Sequence, residues 1–338
     1  YNVKNLIISN KISFHKALKL NRNKKINIYN NFDCYKKIFT KKLDYSMCAI
    51  SGIPGLIPIN NIIKYSKNIA IANKESLICG WKIIKQNLLK NKTKFIPIDS
   101  EHFSIWKSLK GFNLNSINKI ILTASGGPFL NTSKNKMKKI KITDALKHPN
   151  WRMGKKISID SATMMNKVFE IIEARNIFGL KYDNLEILIH PKSYIHAIVI
   201  FNNGLIKLVA HETTMEIPIF NSLFPKDDKA YNVKNINLKT LNDLNLQYPK
   251  IKKYPSLKLL KFLPKQHSLF DTVLVSANDE LVKLFLKNKI SFSSITKILY
   301  NFIFLKEFNK YKKQKYYNLH DISKLDEYVR LKINSNSI

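Results

Sequence analysis

Glycine, arginine and cysteine are all scarce in this 338-residue chain. Nine glycines occur and none precedes Gly52, so residues 1–51 hold no glycine-rich turn of the kind that cradles phosphate. Arginine appears only at Arg22, Arg152, Arg175 and Arg330 among 58 basic residues. Specific reading of bases or phosphates leans on arginine's rigid fork, so lysine-dominated charge argues against a nucleic-acid function. Cys34, Cys48 and Cys79 are odd in number and lack paired metal-site spacing; they fit ordinary thiols in a reducing compartment. No run of ~18 apolar residues exists, so no membrane span is expected. The opening YNVKNLIISNKISFHKALKL lacks the basic start, long apolar core and cleavage site of a signal peptide. The expected setting is a soluble interior: bacterial cytoplasm, or an organelle stroma if a targeting segment precedes Tyr1.

Lysine is what the chain has in excess. The formal net charge is +35, which attracts anions of every kind, including nucleic acid, acidic membranes and phosphorylated metabolites. The lysines are spread along the whole chain beside asparagines, with no long basic arm, as in a biased surface composition. A polyanion-binding protein is the competing reading; salt-sensitive binding without sequence preference would mark it as incidental. At 45% hydrophobic and 11% aromatic the chain has ample core material. Its length exceeds the ~250 residues at which single cores stop growing, so two or three domains are expected.

Short apolar runs alternate with helical stretches. Residues 1–45 read as α/β material, with FHKALKL a candidate helix face. MCAISGIPGLIPINNIIKYSKNIAIANKES (47–76) gives strand, Gly/Pro turn, helix and second strand, a unit of a parallel sheet. The helix WKIIKQNLL and the strand KFIPID follow, ending at Asp99. INKIILTAS (117–125) leads into the turn GGPF. Residues 141–180 read as a polar loop, a short strand and a long amphipathic helix. LEILIH, IHAIVIF and LIKLVA read as strands of an antiparallel or mixed sheet, with Asn202–Gly204 a hairpin turn. The proline-punctuated stretch 226–265 reads as a linker. Beyond it, Leu281, Leu284 and Phe285 share an apolar helix face with Asn288 as its polar exception, and ITKILYNFIFLKEF is a second helix.

Only 23 acidic residues occur, so their placement carries information. Asp99 and Glu101 are two apart at the end of FIPI, and in an extended segment both carboxylates would face one side. Glu170 lies on TMMNKVFEIIEA behind Ser161, Asn166 and Lys167. Three carboxylates suffice for a hard ion such as Mg2+ or Mn2+. DSE can equally be a helix cap, and Glu170 a solvated helix residue. His148, in KHPNW, suits either a mobile flap or a packed loop. His190 and His196 lack the spacing of a zinc pair. GGPF frees backbone N–H groups that could face a phosphate.

The strings ANKES (72–76), PIDSEH (97–102), TASGGPF (123–129), HPNWRMGKKISIDSATMMNK (148–167) and IHPKSYIH (189–196) together resemble the diagnostic blocks of 1-deoxy-D-xylulose 5-phosphate reductoisomerases, in family order, over roughly residues 25–290. The resemblance implies a partial Rossmann-like NADPH-binding domain (1–110) and an α+β catalytic and dimerisation domain (111–225) with a flap at 147–156. A linker (226–265) and a small C-terminal helical domain (266–338) would follow. It implies NADPH- and Mg2+- or Mn2+-dependent conversion of a phosphorylated sugar, 1-deoxy-D-xylulose 5-phosphate, to 2-C-methyl-D-erythritol 4-phosphate. A homodimer without specific nucleic acid or membrane partners is implied as well.

By the same resemblance Asp99, Glu101 and Glu170 are metal ligands, and Lys74, Glu101 and His148 catalytic. Lys74, Ser100, Glu101, Ser125 and His148 contact substrate, as do Trp151, Met153, Ser161, Asn166, Lys167 and Glu170. Asn73, Glu75, Gly154 and Met215 contact cofactor, and Ser193 and His196 occupy polar positions of the second domain. The sequence departs from the family in three places. No G-S-T-G-S-I-G-like turn is present, as though the first half of the nucleotide domain were absent. HETTMEIPI carries His211, Thr214 and Glu216 where the family has Gly, Asp and Arg. VSANDE (275–280) stands for the family's NAANE-like helix start. The missing turn motivates a second hypothesis, a non-catalytic remnant of the enzyme.

Overall fold

The computed structural model describes residues 2–21, 25–137, 139–225, 229–231, 235, 237–316 and 318–336. Arg22 and linker positions 226–228, 232–234 and 236 lie outside the described residues. Strand β1 (Asn5–Ile7), helix α1 (Lys11–Leu20) and strand β2 (Asn27–Tyr29) open the chain, and the two strands pair in parallel. FHKALKL is thus helical, and Asn10 caps the helix by accepting from the Ser13 N–H at 2.9 Å.

Next come β3 (Leu43–Cys48), α2 (Leu56–Ile62), β4 (Ser66–Ile71), α3 (Lys74–Cys79), α4 (Trp81–Lys90), β5 (Lys94–Pro97) and α5 (Ser100–Ser108). In β4, Ile69, Ala70 and Ile71 are all buried. A strand apolar on both faces needs cover on both, the condition of a parallel sheet between helices. The sheet order is β3-β4-β5, all parallel. Cys48, Ile71 and Pro97 stand in register, so the loops at their carboxyl ends gather at one edge, where α/β folds bind ligands. Asn73 stitches two of these loops. Its side chain accepts from Ser76 N–H at 2.6 Å and donates to the carbonyls of Gly52, at 2.7 Å, and Ile50. Gly55 fits beneath because a Cβ there would lie 2.4 Å from the Ile50 carbonyl oxygen.

The second sheet is mixed, in the order β7-β6-β8-β9. Central β6 (Ile117–Ala124) pairs in parallel with β7 (Leu185–Ile189) and antiparallel with β8 (Ile195–Phe201), which pairs antiparallel with β9 (Ile206–Ala210). The hairpin at Asn202–Gly204 forms as its residues dictate, with Gly204 at φ +83° and Phe201 N–H donating to Leu205 O at 2.9 Å.

Between β6 and β7 lie α6 (Lys155–Thr163) and α7 (Met165–Phe178), separated by Met164 at φ +62°. The short strand expected within 141–180 is absent among the described residues. ISID is helical because Ile159 and Ala162, three apart, form the buried stripe. The amphipathic reading of α7 also fails, since Lys167 through Asn176 are all buried. This helix is enclosed by α3, β6 and the segment Pro255–Phe262, and its polar residues find partners inside. Within the stretch read as linker, Tyr254, Leu257, Leu259 and Leu263 join the core, and Tyr254 Oη donates to Gly126 O at 2.8 Å.

The C-terminal region is helical: α8 (Phe270–Leu286), α9 (Phe292–Ile303) and α10 (Leu319–Asn336). Leu281, Leu284 and Phe285 are buried on α8, but Asn288 lies past its end at φ +57°. Asparagine tolerates that left-handed conformation, so Asn288 marks the helix exit and is no polar member of the face. VSANDE is mid-helix, and no helix start: Phe270 to Val275 already form its first turns, all buried. The architecture is therefore a Rossmann-like parallel region, a mixed α+β region and a C-terminal helical region. No described helix is long and apolar enough to cross a membrane.

Candidate active site

One cavity of about 820 Å³ opens at the carboxyl edge of the parallel sheet and runs beneath the flap. Asn73, Lys74, Glu75, Asp99, Ser100, Glu101, Ser125, His148, Trp151 and Met153 line it. So do Gly154, Ser161, Asn166, Lys167, Glu170, Ser193, His196 and Met215. Every site residue singled out from the sequence thus faces a common space.

Asp99, Glu101 and Glu170 each place a carboxylate oxygen within 4.8 Å of the others. The reason differs from the extended-strand argument. β5 stops at Pro97, Asp99 is the N-cap residue of α5, and Glu101 lies in its first turn. Asp99 makes no side-chain capping bond, so its carboxylate is free to turn toward Glu170 on α7.

Two lysines supply positive charge within this group. Lys167 Nζ donates to Glu101 Oε1 at 2.7 Å, to Thr123 O at 2.5 Å and to Glu170 Oε2. Lys74 Nζ pairs with Asp99 and lies 2.9 Å from Glu173 Oε2 and 3.9 Å from Glu170 Oε1. Burial pushes the Glu170 carboxyl up to about 8, with Glu101 adding to the effect against the two lysines. Burial also opposes charge on Asp99, but Lys74 outweighs it and holds that carboxyl well below the usual range.

Two residues of the site went unread in the sequence. Glu173 stands one helical turn beyond Glu170, and His102 directly follows Glu101. The His102 imidazole is fully buried, its Nε2 3.0 Å from Glu170 O and its Nδ1 3.5 and 3.6 Å from Asp99 and Glu173. Burial disfavours its charge, yet Glu173 and Asp99 prevail and raise it to about 9. The E-x-x-E spacing of FEIIE, which puts both carboxylates on one helix face, was the available signal.

The flap closes the other side. His148 Nδ1 accepts from the backbone N–H groups of Trp151 at 2.9 Å and Asn150 at 3.2 Å. Its proton therefore sits on Nε2, which donates to Ser125 Oγ at 3.0 Å. Burial, with Lys167 nearby, lowers this imidazole to about 4. Asn150 Nδ2 donates to Pro191 O at 2.6 Å and Ser193 Oγ at 2.9 Å, tying the flap to the β7–β8 loop. Gly127, at φ +66°, lets the GGPF turn meet α6, where a Cβ would approach Ser161 O to 3.0 Å. His190 and His196 serve different carbonyls, of Leu244 and His211. His196 stacks on His211 at 3.9 Å between ring centres, so the histidine standing at the family's glycine position fills space beside it.

Three carboxylates converging in a cavity at the sheet's ligand edge form the arrangement of a metal-dependent α/β enzyme. Comparison with known proteins gives the family. Residues 1–80 match the profile described as 1-deoxy-D-xylulose 5-phosphate reductoisomerase. Residues 95–178 and 211–332 match two C-terminal domain profiles of the same enzyme. The reductoisomerase of Pelagibacter ubique is 57% identical over 340 residues, covering 100% of this chain and 88% of that protein. That of Wolbachia pipientis is 42% identical, covering 78% and 68%. A structure of the Zymomonas mobilis enzyme in complex with NADPH aligns with TM-score 0.88 at 29% identity, covering 99% of this chain and 86% of that one. A DOX-P reductoisomerase complex with NADPH, fosmidomycin and magnesium aligns with TM-score 0.90 at 28% identity, covering 98% and 86%. The chain belongs to the 1-deoxy-D-xylulose 5-phosphate reductoisomerase family.

Proposed function

We propose that this chain catalyses the rearrangement and NADPH-dependent reduction of 1-deoxy-D-xylulose 5-phosphate to 2-C-methyl-D-erythritol 4-phosphate, a step of the non-mevalonate route to isoprenoids. The observation that carries the reading is the convergence of Asp99, Glu101 and Glu170 in a flap-covered cavity, in a chain whose structural relatives hold NADPH and magnesium.

The three carboxylates suit a hard divalent ion, Mg2+ or Mn2+, and the cavity extends from them to the strand-end residues Ala49–Pro54, leaving room for a nucleotide. When bound, the ion supplies Lewis acidity toward the substrate's carbonyl and hydroxyl oxygens, and NADPH supplies the hydride. Asn73, Glu75, Gly154 and Met215 are the residues we assign to the cofactor side. Lys167, with Ser125, Ser161 and Asn166, would take the phosphate and hydroxyl groups once the ion relieves it of Glu101 and Glu170. Phosphate binding away from the reacting carbons then contributes to their positioning. Ser100 Oγ donates to Glu101 Oε2 at 2.7 Å and orients it. Trp151 and Met153 exclude water when the flap is shut.

NADPH oxidation that requires both the sugar phosphate and Mg2+ or Mn2+, with the product identified by mass, is the direct test. Oxidation independent of either component would refute the reading. A non-catalytic remnant predicts metal-dependent substrate binding with no turnover.

His148 holds the flap as a neutral imidazole. Its ionisation lies near 4, so it stays uncharged on both sides of neutrality and contributes no ionisation to activity above about pH 5.5. His148→Asn is expected to lower kcat/KM by about 100-fold with the shape of the pH profile unchanged. Loss of a limb from that profile in the variant would contradict the assignment.

We also propose that the chain forms a homodimer through β9, an edge strand of the second sheet on which Ile206 and Leu208 are exposed. Light scattering should give twice the chain mass, and Leu208→Lys should return the monomer. An unchanged mass in that variant would place the interface elsewhere.

A further inference from the structure

Lys156 has no part in the proposed chemistry, yet it sits at the centre of a charged cluster that joins three regions of the fold. Its ammonium lies 2.7 Å from Glu75 Oε1, 2.9 Å from Asp160 Oδ2 and 3.0 Å from Asp279 Oδ1, and 5.1 Å from the centre of the Phe169 ring. Those carboxylates belong to α3 of the nucleotide region, to α6 itself and to α8 of the C-terminal helices. Asn278 Nδ2 donates to Asp160 Oδ1 at 2.8 Å. Asp279 continues to Arg330 on α10 at 3.2 Å, and Arg330 also reaches Asp326 at 2.7 Å.

We infer that Lys156 is a positioning residue for the reaction, fixing the stem of the flap and the phosphate cradle by clamping α3 and α8 to the first turn of α6. The inference rests on the function proposed above. Lys156 is the last residue of the flap, and two residues before it Gly154 has nothing within 4 Å of where a Cβ would stand. The Gly154 carbonyl accepts from Ser158 N–H at 3.1 Å and Ser158 Oγ at 3.0 Å, so the flap's end is tied to α6 and follows that helix, which the lysine clamp fixes in turn. From there α6 runs as one rigid helix to Ser161, and the left-handed turn at Met164 leads directly to Asn166 and Lys167. A shift of α6 would move the flap stem and the cradle together. The carboxylates of Asp99 and Glu101, carried by α5, would stay in place.

The test compares Lys156→Met, Lys156→Arg and Asp279→Asn with the unaltered full chain in the same NADPH-oxidation assay. Lys156→Met is expected to lose about 100-fold in kcat/KM through both a higher KM for the sugar phosphate and a lower kcat, as small misplacements do. The Mg2+ concentration for half-activation should rise by much less than the loss in kcat/KM, since Asp99 and Glu101 sit on α5 and only Glu170 shares α7 with the cradle. Lys156→Arg keeps the charge with a different head-group shape, and its activity should lie between those of Lys156→Met and the unaltered chain. Should Lys156→Met fail to fold, Asp279→Asn carries the test, with about a tenfold loss expected under conditions where thermal unfolding shows the variant folded. Unaltered kinetics in Asp279→Asn, or in a folded Lys156→Met, would overturn the inference. A rise in the Mg2+ requirement that matches the whole loss would also overturn it, because the defect would then be general. Absence of turnover in the unaltered chain would refute the proposed reaction instead.

Discussion

Glu170→Gln is expected to lower kcat/KM by about 1000-fold or more, equivalent to ~4 kcal/mol of lost transition-state stabilisation, while the protein stays folded. The two halves of this result have one origin. Glu170 is fully enclosed, and burial together with Glu101 pushes its carboxyl up to about 8, so its charge adds little to folding near neutrality when no ion is bound. Glutamine keeps the shape and one acceptor oxygen where Asn166 and Lys167 both donate, so the metal-free fold should lose only about 1–3 kcal/mol. With the ion present, the third anionic ligand is missing and substrate oxygens lose the charge that polarises them. Steady-state kinetics over a Mg2+ titration, alongside thermal unfolding, separates the two effects. Unchanged turnover would remove Glu170 from the ligand set.

Lys74→Met is expected to destabilise the metal-free protein by about 3–5 kcal/mol, because it strands carboxylates that the lysine now neutralises. Lys74 is paired with Asp99 and Glu173 and lies 3.9 Å from Glu170. Glu173 is buried at 2% side-chain exposure, and its carboxylate cannot recover hydration in the folded state. A divalent ion at the carboxylates would replace the lost charge. Added Mg2+ should therefore restore more stability to Lys74→Met than it adds to the unaltered chain. Denaturant unfolding with and without Mg2+ checks this. A loss below about 1 kcal/mol, of the size of an exposed ion pair, or an equal Mg2+ response in both proteins, would contradict the arrangement.

The parts of the fold set by local pattern were legible in the sequence. IAIA, IHAIVIF and LIKLVA read as strands because apolar and β-branched residues cluster between turn residues, and Asn202–Gly204 encodes its hairpin without tertiary help. The residues that line the cavity were legible for another reason: PIDSEH and HPNWRMGKKISIDSATMMNK are long, unusual strings that match a known family. What local pattern did not carry was burial of charge. Helix α7 looks half-polar because Lys167, Glu170, Glu173, Arg175 and Asn176 lie along it, yet each is paired inside the fold. Lys74 and Glu173 are 99 positions apart, and Lys156 and Asp279 are 123 apart in the chain; no periodicity brings such partners together. ISID alternates like a strand, but its environment rewards the three-residue spacing of Ile159 and Ala162. The pairing of Asp99 with Glu101 was anticipated for the wrong geometric reason, since a helix start, not an extended strand, turns both toward Glu170.

The claim on which everything else depends is that Asp99, Glu101 and Glu170 form a divalent-cation site. Electron paramagnetic resonance of Mn2+ titrated into the purified chain with the sugar phosphate measures it directly. A single saturable Mn2+ per chain is predicted, weakened by about 100-fold or more in both Asp99→Asn and Glu170→Gln. Mn2+ binding unchanged in either variant, or no saturable binding in the unaltered chain, would contradict the site.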